Sequence, residues 1–129
     1  MMFRLSQRSI KRLEGVNNVL KLIAIQGIID SPIDFGIPLF GGLRTADDQL
    51  ILFKRGVSKC DGYRRKSYHQ SGKAFDIYAY VNRKASWDPK HYEPIAKHLQ
   101  AFAKEKFNIK LEWGGNFRSF IDMPHFQIR

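Results

Sequence analysis

The chain has 129 residues, 43% of them hydrophobic and 26% charged, which fits one domain that buries its own core and excludes wholesale disorder. Its single cysteine, Cys60, excludes an intramolecular disulfide and a metal site built from cysteines alone. The net charge of +10 favours a polyanionic partner, such as nucleic acid, an anionic membrane or an acidic cell-wall polymer, without choosing among them.

The amino-terminal part of the chain is predicted to be helical. Ser6 can cap a helix that begins near Gln7, and apolar residues then recur at helical spacing. Gly15 and the Asn17-Asn18 pair divide this stretch into two helices. The helical region ends at Pro32, because proline cannot continue the helical hydrogen-bond ladder.

A second helical region follows a short irregular stretch. Residues 34–38 are predicted to be extended and residues 40–43 to form a turn. Thr45 can cap a helix from Ala46 to about Lys54, with two aspartates well placed in its first turn. The stretch 56–65 is predicted to be a loop.

The rest of the chain mixes strands with one long helix. Residues 74–81 are rich in strand formers, and further short strands are predicted over 109–113 and 126–128. A helix is predicted from Asp88-Pro89 to about Lys106. Helices that flank a few strands without a βαβ rhythm indicate an α+β fold, with one domain over 1–129 and a small antiparallel sheet.

No part of the sequence predicts an export signal or a membrane span. The most apolar segment, 20–29, is interrupted by Lys21 and Gln26 and is shorter than the roughly 20 apolar residues that a span needs. We therefore expect the protein to stay in the cytoplasm where it is made, unless another factor releases it.

The positive charge is partly local. The segment Lys54–Lys73 carries seven basic residues and one acid, Asp61, for a net charge of +6. This basic segment is either a solvated loop or a docking surface for a polyanion.

Two of the four histidines lie in patterns that suit chemistry. His69 precedes a carboxylate, Asp76, by seven residues, and His125 follows Asp122 by three. Two imidazoles and one carboxylate supply three protein ligands of a catalytic zinc site, which keeps its fourth position open. A second carboxylate then remains free to act as a base. The alternative is that these histidines satisfy polar groups in the core.

The other two histidines, His91 and His98, lie on the long predicted helix. No cysteine stands between them, and we expect surface or boundary positions rather than metal binding.

Several motifs together resemble a known family. The pattern Ser67-x-His69-x-x-Gly72-x-Ala74-x-Asp76 resembles the zinc-ligand motif of the D-Ala-D-Ala-type metallopeptidases, which include D,D-carboxypeptidases, D-Ala-D-Ala dipeptidases and phage L-alanyl-D-glutamate endolysins. Glu112-Trp113-Gly114-Gly115 followed by Asp122-x-Pro124-His125-Phe126 is most similar to the endolysin branch, as is Gly42-Leu43-Arg44-Thr45 with Gln49. The resemblance covers about 34–129.

The resemblance implies roles for individual residues. One Zn²⁺ would be held by His69, Asp76 and His125. Asp122 would be the general base, where the carboxypeptidase and dipeptidase branches have a longer Glu. The competing base is Glu112, whose other possible role is to orient the turn or a ligand imidazole.

The remaining motif residues have a functional and an ordinary interpretation. Arg44 would share the charge of the oxyanion, or it forms a structural ion pair at a turn. Ser67 and Gln49 would support the site or contact substrate, although Ser67 also suits a simple turn. Trp113 would wall a cleft for an extended peptide, or it belongs to the core.

The resemblance also implies a function. It predicts a zinc-dependent peptidase that hydrolyses peptidoglycan stem peptides at the L-alanyl-D-glutamate bond. Such a phage endolysin would be a monomer, released from the host cytoplasm through a holin-type pore and attracted to the anionic envelope by its charge, with no obligatory nucleic acid. The alternatives are a D,D-carboxypeptidase or D-Ala-D-Ala dipeptidase, and a non-catalytic basic module that binds cell wall or nucleic acid.

Overall fold

The computed structural model describes residues 2–129 and begins with two short helices. Helix α1 spans Gln7–Arg12 and helix α2 spans Asn18–Gly27. The side chains of Ser6 and Asn17 accept hydrogen bonds from backbone N–H groups in the first turns of α1 and α2. Gly15 lies between the helices with φ +84°, a left-handed conformation that favours glycine. The predicted division into two helices is confirmed.

The two later helices also begin where capping residues predict. Helix α3 spans Ala46–Lys54, and Thr45 forms a capping box with the acidic residue three positions later. Helix α4 spans Tyr92–Phe107 and follows a 3₁₀ turn, Pro89–His91, whose N-cap is Asp88. The long predicted helix is therefore a 3₁₀ turn continued by an α-helix. No helix within residues 2–129 has the length and apolar character needed to cross a membrane.

Six short strands form two antiparallel sheets. In chain order the strands are β1 (Asp34–Gly36), β2 (Ala74–Asp76), β3 (Tyr78–Val81), β4 (Lys84–Ser86), β5 (Glu112–Trp113) and β6 (His125–Gln127). One sheet has the order β1–β3–β4 and the other has the order β2–β6–β5. The α+β class with antiparallel sheets is confirmed, although there are two small sheets rather than one.

The strand predicted over residues 74–81 is two strands that belong to different sheets. The backbone N–H of Asp76 donates to Gly41, and that of Ile77 donates to Pro124. Ile77 is fully buried between β2 and β3, where the chain passes from one sheet to the other. The strand predicted over 109–113 is likewise shorter and includes only β5.

A cluster of buried apolar side chains joins the helices to the sheets. Helix α2 packs against helix α4, and Leu20, Ile95 and Leu99 are fully buried. Below the second sheet, the rings of Phe75 and Phe126 stack with centroids 5.4 Å apart. These phenylalanines are neighbours of Asp76 and His125, so the core fixes the strands that carry both polar residues.

Candidate metal centre

Three of the predicted site residues converge on one point. His69 lies in a 3₁₀ turn, Tyr68–Ser71, whereas Asp76 and His125 face each other across the β2–β6 pair. His69 Nε2 lies 3.1 Å from Asp76 Oδ1 and 3.2 Å from His125 Nδ1, and the last two atoms are also 3.2 Å apart. The two histidines are 2% and 8% exposed. His69 Nε2, Asp76 Oδ1 and His125 Nδ1 therefore form a nearly equilateral triangle, and we refer to these three atoms and their residues as the triangle.

The turn that carries His69 depends on a glycine. Gly72 ends the turn with φ +73°, in the left-handed region, and a Cβ added there would come within 2.7 Å of the Gly15 carbonyl oxygen. The Gly72 carbonyl accepts a hydrogen bond of 2.8 Å from the Asn17 N–H. The connection between α1 and α2 therefore packs against the turn that carries His69 and bonds to its last residue.

The hydrogen bonds of the triangle make it a fit for a cation. His69 Nδ1 lies 2.9 Å from the Gly42 carbonyl oxygen, which can only accept, so Nδ1 carries a proton and, in the neutral imidazole, Nε2 presents a lone pair. That lone pair faces Asp76 Oδ1, which is also an acceptor. Tetrahedral zinc with bonds of about 2.0–2.1 Å needs ligand atoms about 3.3 Å apart, close to the observed spacing. His69, Asp76 and His125 could therefore hold one metal ion.

Asp76 is held as a carboxylate. Burial by itself raises its pKa, but His69 and His125, whenever they are protonated, lower the pKa well below the ordinary value through their charge and hydrogen bonds. Its second oxygen, Oδ2, forms a 2.9 Å ion pair with Arg44 Nη2, and both side chains are mostly buried. Arg44 thus turns the other oxygen, Oδ1, towards the histidines.

Arg44 is itself fixed by buried polar groups. It donates to the Phe40 carbonyl through Nε and to Gln49 Oε1 through Nη1. Gln49 is fully buried, its oxygen also accepts from the Ser67 hydroxyl, and its amide nitrogen donates to the 58–60 loop. Gln49 and Ser67 therefore bond to each other. Gln49 also contacts Arg44, and Ser67 is the N-cap of the turn that carries His69.

Asp122 lies beside the triangle without belonging to it. It lines the same cleft, and burial, followed by the charge of Asp76, raises the pKa of its carboxyl group. Its carboxylate has no hydrogen-bond partner among residues 2–129. Its backbone is fixed instead, since its N–H donates to Gly114 and its carbonyl accepts from the His125 N–H. A partly buried, unbonded carboxylate in a cleft suits proton transfer.

Glu112 is separated from the triangle by another side chain. Its two carboxylate oxygens accept hydrogen bonds of 2.8 Å from Gln127 Nε2 and Arg129 Nε. Burial alone raises its pKa, but hydrogen bonds from Arg129 and Gln127 outweigh this and lower it. Glu112 is therefore ionised, and each of its carboxylate oxygens already accepts a hydrogen bond.

Trp113 and the two following glycines support the segment 122–125. The Trp113 indole N–H donates to the Met123 carbonyl at 2.6 Å, and its side chain is only 7% exposed. A Cβ on Gly114 would collide with the Asp122 carbonyl oxygen, and one on Gly115 would collide with the Trp113 ring. This motif packs directly against the chain that carries Asp122 and His125.

Two groups that contact the candidate histidine ligands were not predicted from the sequence. The Gly42 carbonyl contacts His69, and Gln127 Oε1 lies 2.7 Å from His125 Nε2. The strand period of two places Gln127 on the same side of β6 as His125, which was a usable signal. A backbone carbonyl leaves no signal in the residue types.

His91 and His98 lie apart from the cluster. His91 Nδ1 bonds to the Ser86 hydroxyl, and His98 Nε2 bonds to the Gly27 carbonyl. His91 lies in the 3₁₀ turn before α4 and His98 lies within α4, and both are partly buried, which agrees with the predicted boundary positions.

The triangle opens into a cleft of about 690 Å³. Six cationic side chains line it: Arg44, Lys59, Arg65, Lys66, Arg118 and Arg129. Arg44 and Arg129 are paired with carboxylates. The other four form no ion pair within residues 2–129, and the acids that line the cleft are Asp76 and Asp122. The cleft is therefore cationic around an acidic centre.

Comparison with known proteins places this geometry in a family. A family model described as phage L-alanyl-D-glutamate peptidase matches residues 1–127. Over 90 residues the chain is 28% identical to the L-alanyl-D-glutamate peptidase of Listeria phage A118, which covers 70% of this chain but only 29% of that protein's length. The crystal structure of the Serratia marcescens L-Ala D-Glu endopeptidase ChiX matches with a TM-score of 0.85 and 30% identity, over 99% of this chain and 91% of that one. The family resemblance seen in the sequence is confirmed, and the chain belongs to the phage L-alanyl-D-glutamate peptidase family.

Proposed function

We propose that this chain is a zinc-dependent peptidase that hydrolyses the L-alanyl-D-glutamate bond of peptidoglycan stem peptides, as a phage endolysin does. The observation that carries the proposal is the triangle of His69, Asp76 and His125, with the unbonded carboxylate of Asp122 beside it in one cleft. Family membership and the match to an L-Ala D-Glu endopeptidase structure support the same activity.

The three residues of the triangle would hold the metal ion. His69 offers Nε2, Asp76 offers Oδ1 and His125 offers Nδ1. Bound zinc supplies Lewis-acid polarisation of the scissile carbonyl and lowers the pKa of water to about 7. Two imidazoles and a carboxylate are a typical catalytic donor set, because three protein ligands leave one position open.

Proton transfer is assigned to Asp122. It would take the proton of the attacking water and deliver it to the leaving amine. Its raised pKa brings it closer to neutrality than an ordinary aspartate. Glu112 is unsuited to this step, because both of its oxygens are bonded elsewhere.

Arg44 has two assigned tasks. Its Nη2 holds Asp76 in place, and it lines the cleft, where N–H groups not used in the observed hydrogen bonds can share the charge of the oxyanion. Ser67 and Gln49 would act through Arg44 and the His69 turn, and Trp113 would act by holding the segment that carries Asp122.

The charge of the cleft suits an anionic peptide. A stem peptide carries the free carboxylates of its D-glutamate and of later residues. Four cations without a carboxylate partner, Lys59, Arg65, Lys66 and Arg118, line the cleft and would attract such a substrate. The wider basic segment Lys54–Lys73 would also draw the enzyme to the anionic envelope.

The cellular setting follows from the proposed activity. We infer that the protein acts as a monomer, is made in the host cytoplasm and reaches the cell wall after holin-type release, with no obligatory nucleic-acid partner. These points follow from the endolysin assignment.

Mass spectrometry of purified peptidoglycan tests the function. After incubation with the enzyme, tandem spectra should show free peptides that begin with D-glutamate, and a chelator should abolish them. Release of terminal D-alanine alone would indicate a D,D-carboxypeptidase or dipeptidase. Binding to the wall without any cleavage would indicate a non-catalytic module.

A further inference from the structure

A row of hydrogen-bonded side chains runs from the metal centre to the protein surface. His125 Nε2 lies 2.7 Å from Gln127 Oε1, and Gln127 Nε2 donates to Glu112 Oε1 at 2.8 Å. Arg129 Nε donates to the other oxygen of Glu112, and Arg129 Nη1 donates to the Tyr68 hydroxyl. The row joins the centre to the residue directly before His69.

The direction of every hydrogen bond in this row is forced. Glu112 is paired with Arg129, and a carboxylate can only accept. Gln127 must therefore turn its NH₂ group to Glu112 and its oxygen to His125. An amide oxygen also only accepts, so His125 Nε2 carries a proton, and in the neutral imidazole Nδ1 is left with the lone pair.

The strand register holds these partners together. Glu112 and Gln127 are directly paired between β5 and β6, and Gln127 shares a face of β6 with His125. Gln127 is only 8% exposed, so water has little access to replace either hydrogen bond.

We propose that Gln127 is a positioning residue that fixes the tautomer in which His125 can bind the metal, and that Glu112 acts on His125 through Gln127. The inference rests on the proposed metal site, but not on which peptide bond is cut. The opposite tautomer would place an N–H at Nδ1, pointing at Asp76 and His69, and would block coordination.

The tautomer can be measured in metal-free protein. Long-range ¹H–¹⁵N spectra, recorded at a pH above the titration of His125 so that its ring is neutral, distinguish a proton on Nε2 from one on Nδ1. The wild type should show His125 with the proton on Nε2. Gln127→Met keeps the size of the side chain but removes the acceptor, and should give a mixture of tautomers. Gln100→Met is the matched control, because Gln100 is a half-buried amide that donates to the Leu111 carbonyl and bonds to none of the side chains of the row.

Zinc affinity, measured by competition with a chelator, is the second readout. Loss of a group that orients a metal ligand typically costs 10–100-fold in affinity, and we expect about this loss for Gln127→Met. Glu112→Gln should cost less, because an amide at 112 can still bond to Gln127 in either orientation. Combining both changes should be no worse than Gln127→Met alone, since residues that act in series are not additive.

Three results would overturn the inference. They are an unchanged His125 tautomer in Gln127→Met, a zinc affinity equal to that of Gln100→Met, and additive losses in the double variant. If the wild type itself bound no zinc, the metal site would be wrong. Neither readout uses peptide cleavage, so an error in the assigned bond would leave the result intact.

Discussion

Replacing Asp122 with asparagine separates proton transfer from metal binding. The three ligand atoms of the triangle come from other residues, so Asp122→Asn should retain zinc. The backbone contacts of residue 122 with Gly114 and His125 do not involve its side chain and should persist. The variant therefore removes one carboxylate from the cleft with little change in shape.

The expected loss is large and specific to turnover. General acid–base groups contribute about 10²–10⁴ in rate, which corresponds to about 2.7–5.4 kcal/mol of activation free energy. Burial and the Asp76 charge raise the pKa of Asp122, which makes it a stronger base than a free aspartate, so we expect a loss in the upper part of that range.

The raised pKa of Asp122 favours catalysis but lowers the stability of the metal-free fold. A carboxyl group whose pKa is higher in the folded than in the unfolded state loses its contribution to stability as the pH rises through the folded value. Above the titration of Asp122, its ionised carboxylate therefore destabilises the metal-free fold, and Asp122→Asn should make that form slightly more stable there. Urea unfolding of the metal-free proteins measures this difference.

Turnover of a defined muropeptide at saturating zinc, with elemental analysis of each protein, completes the test. Asp76→Asn should lose zinc, whereas Glu112→Gln should keep most of its turnover under these conditions. An active Asp122→Asn together with an inactive, zinc-loaded Glu112→Gln would show that Glu112 is the base and that our assignment is wrong.

Three further predictions concern the metal, the charge and the core. Protein purified without added metal should contain about one zinc per chain, and His69→Ala should lose it; a metal-free, fully active enzyme would rule out the mechanism. Lysis of permeabilised Gram-negative cells should fall as salt rises, because screening acts over about 8 Å at 0.15 M, whereas hydrolysis of a soluble muropeptide should fall much less; equal losses would exclude docking by the basic segment Lys54–Lys73. Phe126→Ala should destabilise the fold by about 3–5 kcal/mol in urea unfolding, since this ring is fully buried and stacks on Phe75; a loss below about 1 kcal/mol would contradict that packing.

Local capping signals predicted the helices well, because their physics lies within a few residues. Ser6 and Thr45, which were predicted as caps, each bond to the backbone of the turn that they begin. Asn17, which was predicted only as a break between helices, does the same for α2. The strand over 74–81 was different. Both of its halves contain strand formers, and only contacts with Gly41 and Pro124, remote in sequence, show that the chain changes sheets after Asp76. Propensity contains no information about which sheet a strand joins.

Strand β4 was missed although a short signal for it exists. Asn82 and Arg83 both have positive φ, so they form a two-residue hairpin turn between β3 and β4. Asparagine favours this conformation, but Lys84-Ala85-Ser86 lacks the β-branched and aromatic residues that indicate a strand. Pairing with Val81 and its neighbours overrides the weak propensity of these residues.

The three candidate metal ligands were predictable as a set only through several motifs in order. Spacing alone left open that His69 and His125 satisfy polar groups in the core. The structure shows why spacing was insufficient, since Asp76 and His125 meet through strand register and His69 arrives from a separate turn. Arg44 was identified by its motif, but its ion pair with Asp76 depends on the tertiary fold.

The amino-terminal helices contain none of the motif residues, yet they form the base of the metal centre. A Cβ on Gly42, whose carbonyl orients His69, would collide with the Arg12 carbonyl oxygen at the end of α1. Gly72, which ends the His69 turn, packs on the Gly15 carbonyl and bonds to the Asn17 N–H. Both turns that fix His69 therefore rest on the α1–α2 connection. This contact gives a physical reason why the family match begins at residue 1 although the recognisable motifs lie within 34–129. The helices belong to the same structural unit as the candidate metal centre because they set the position of His69.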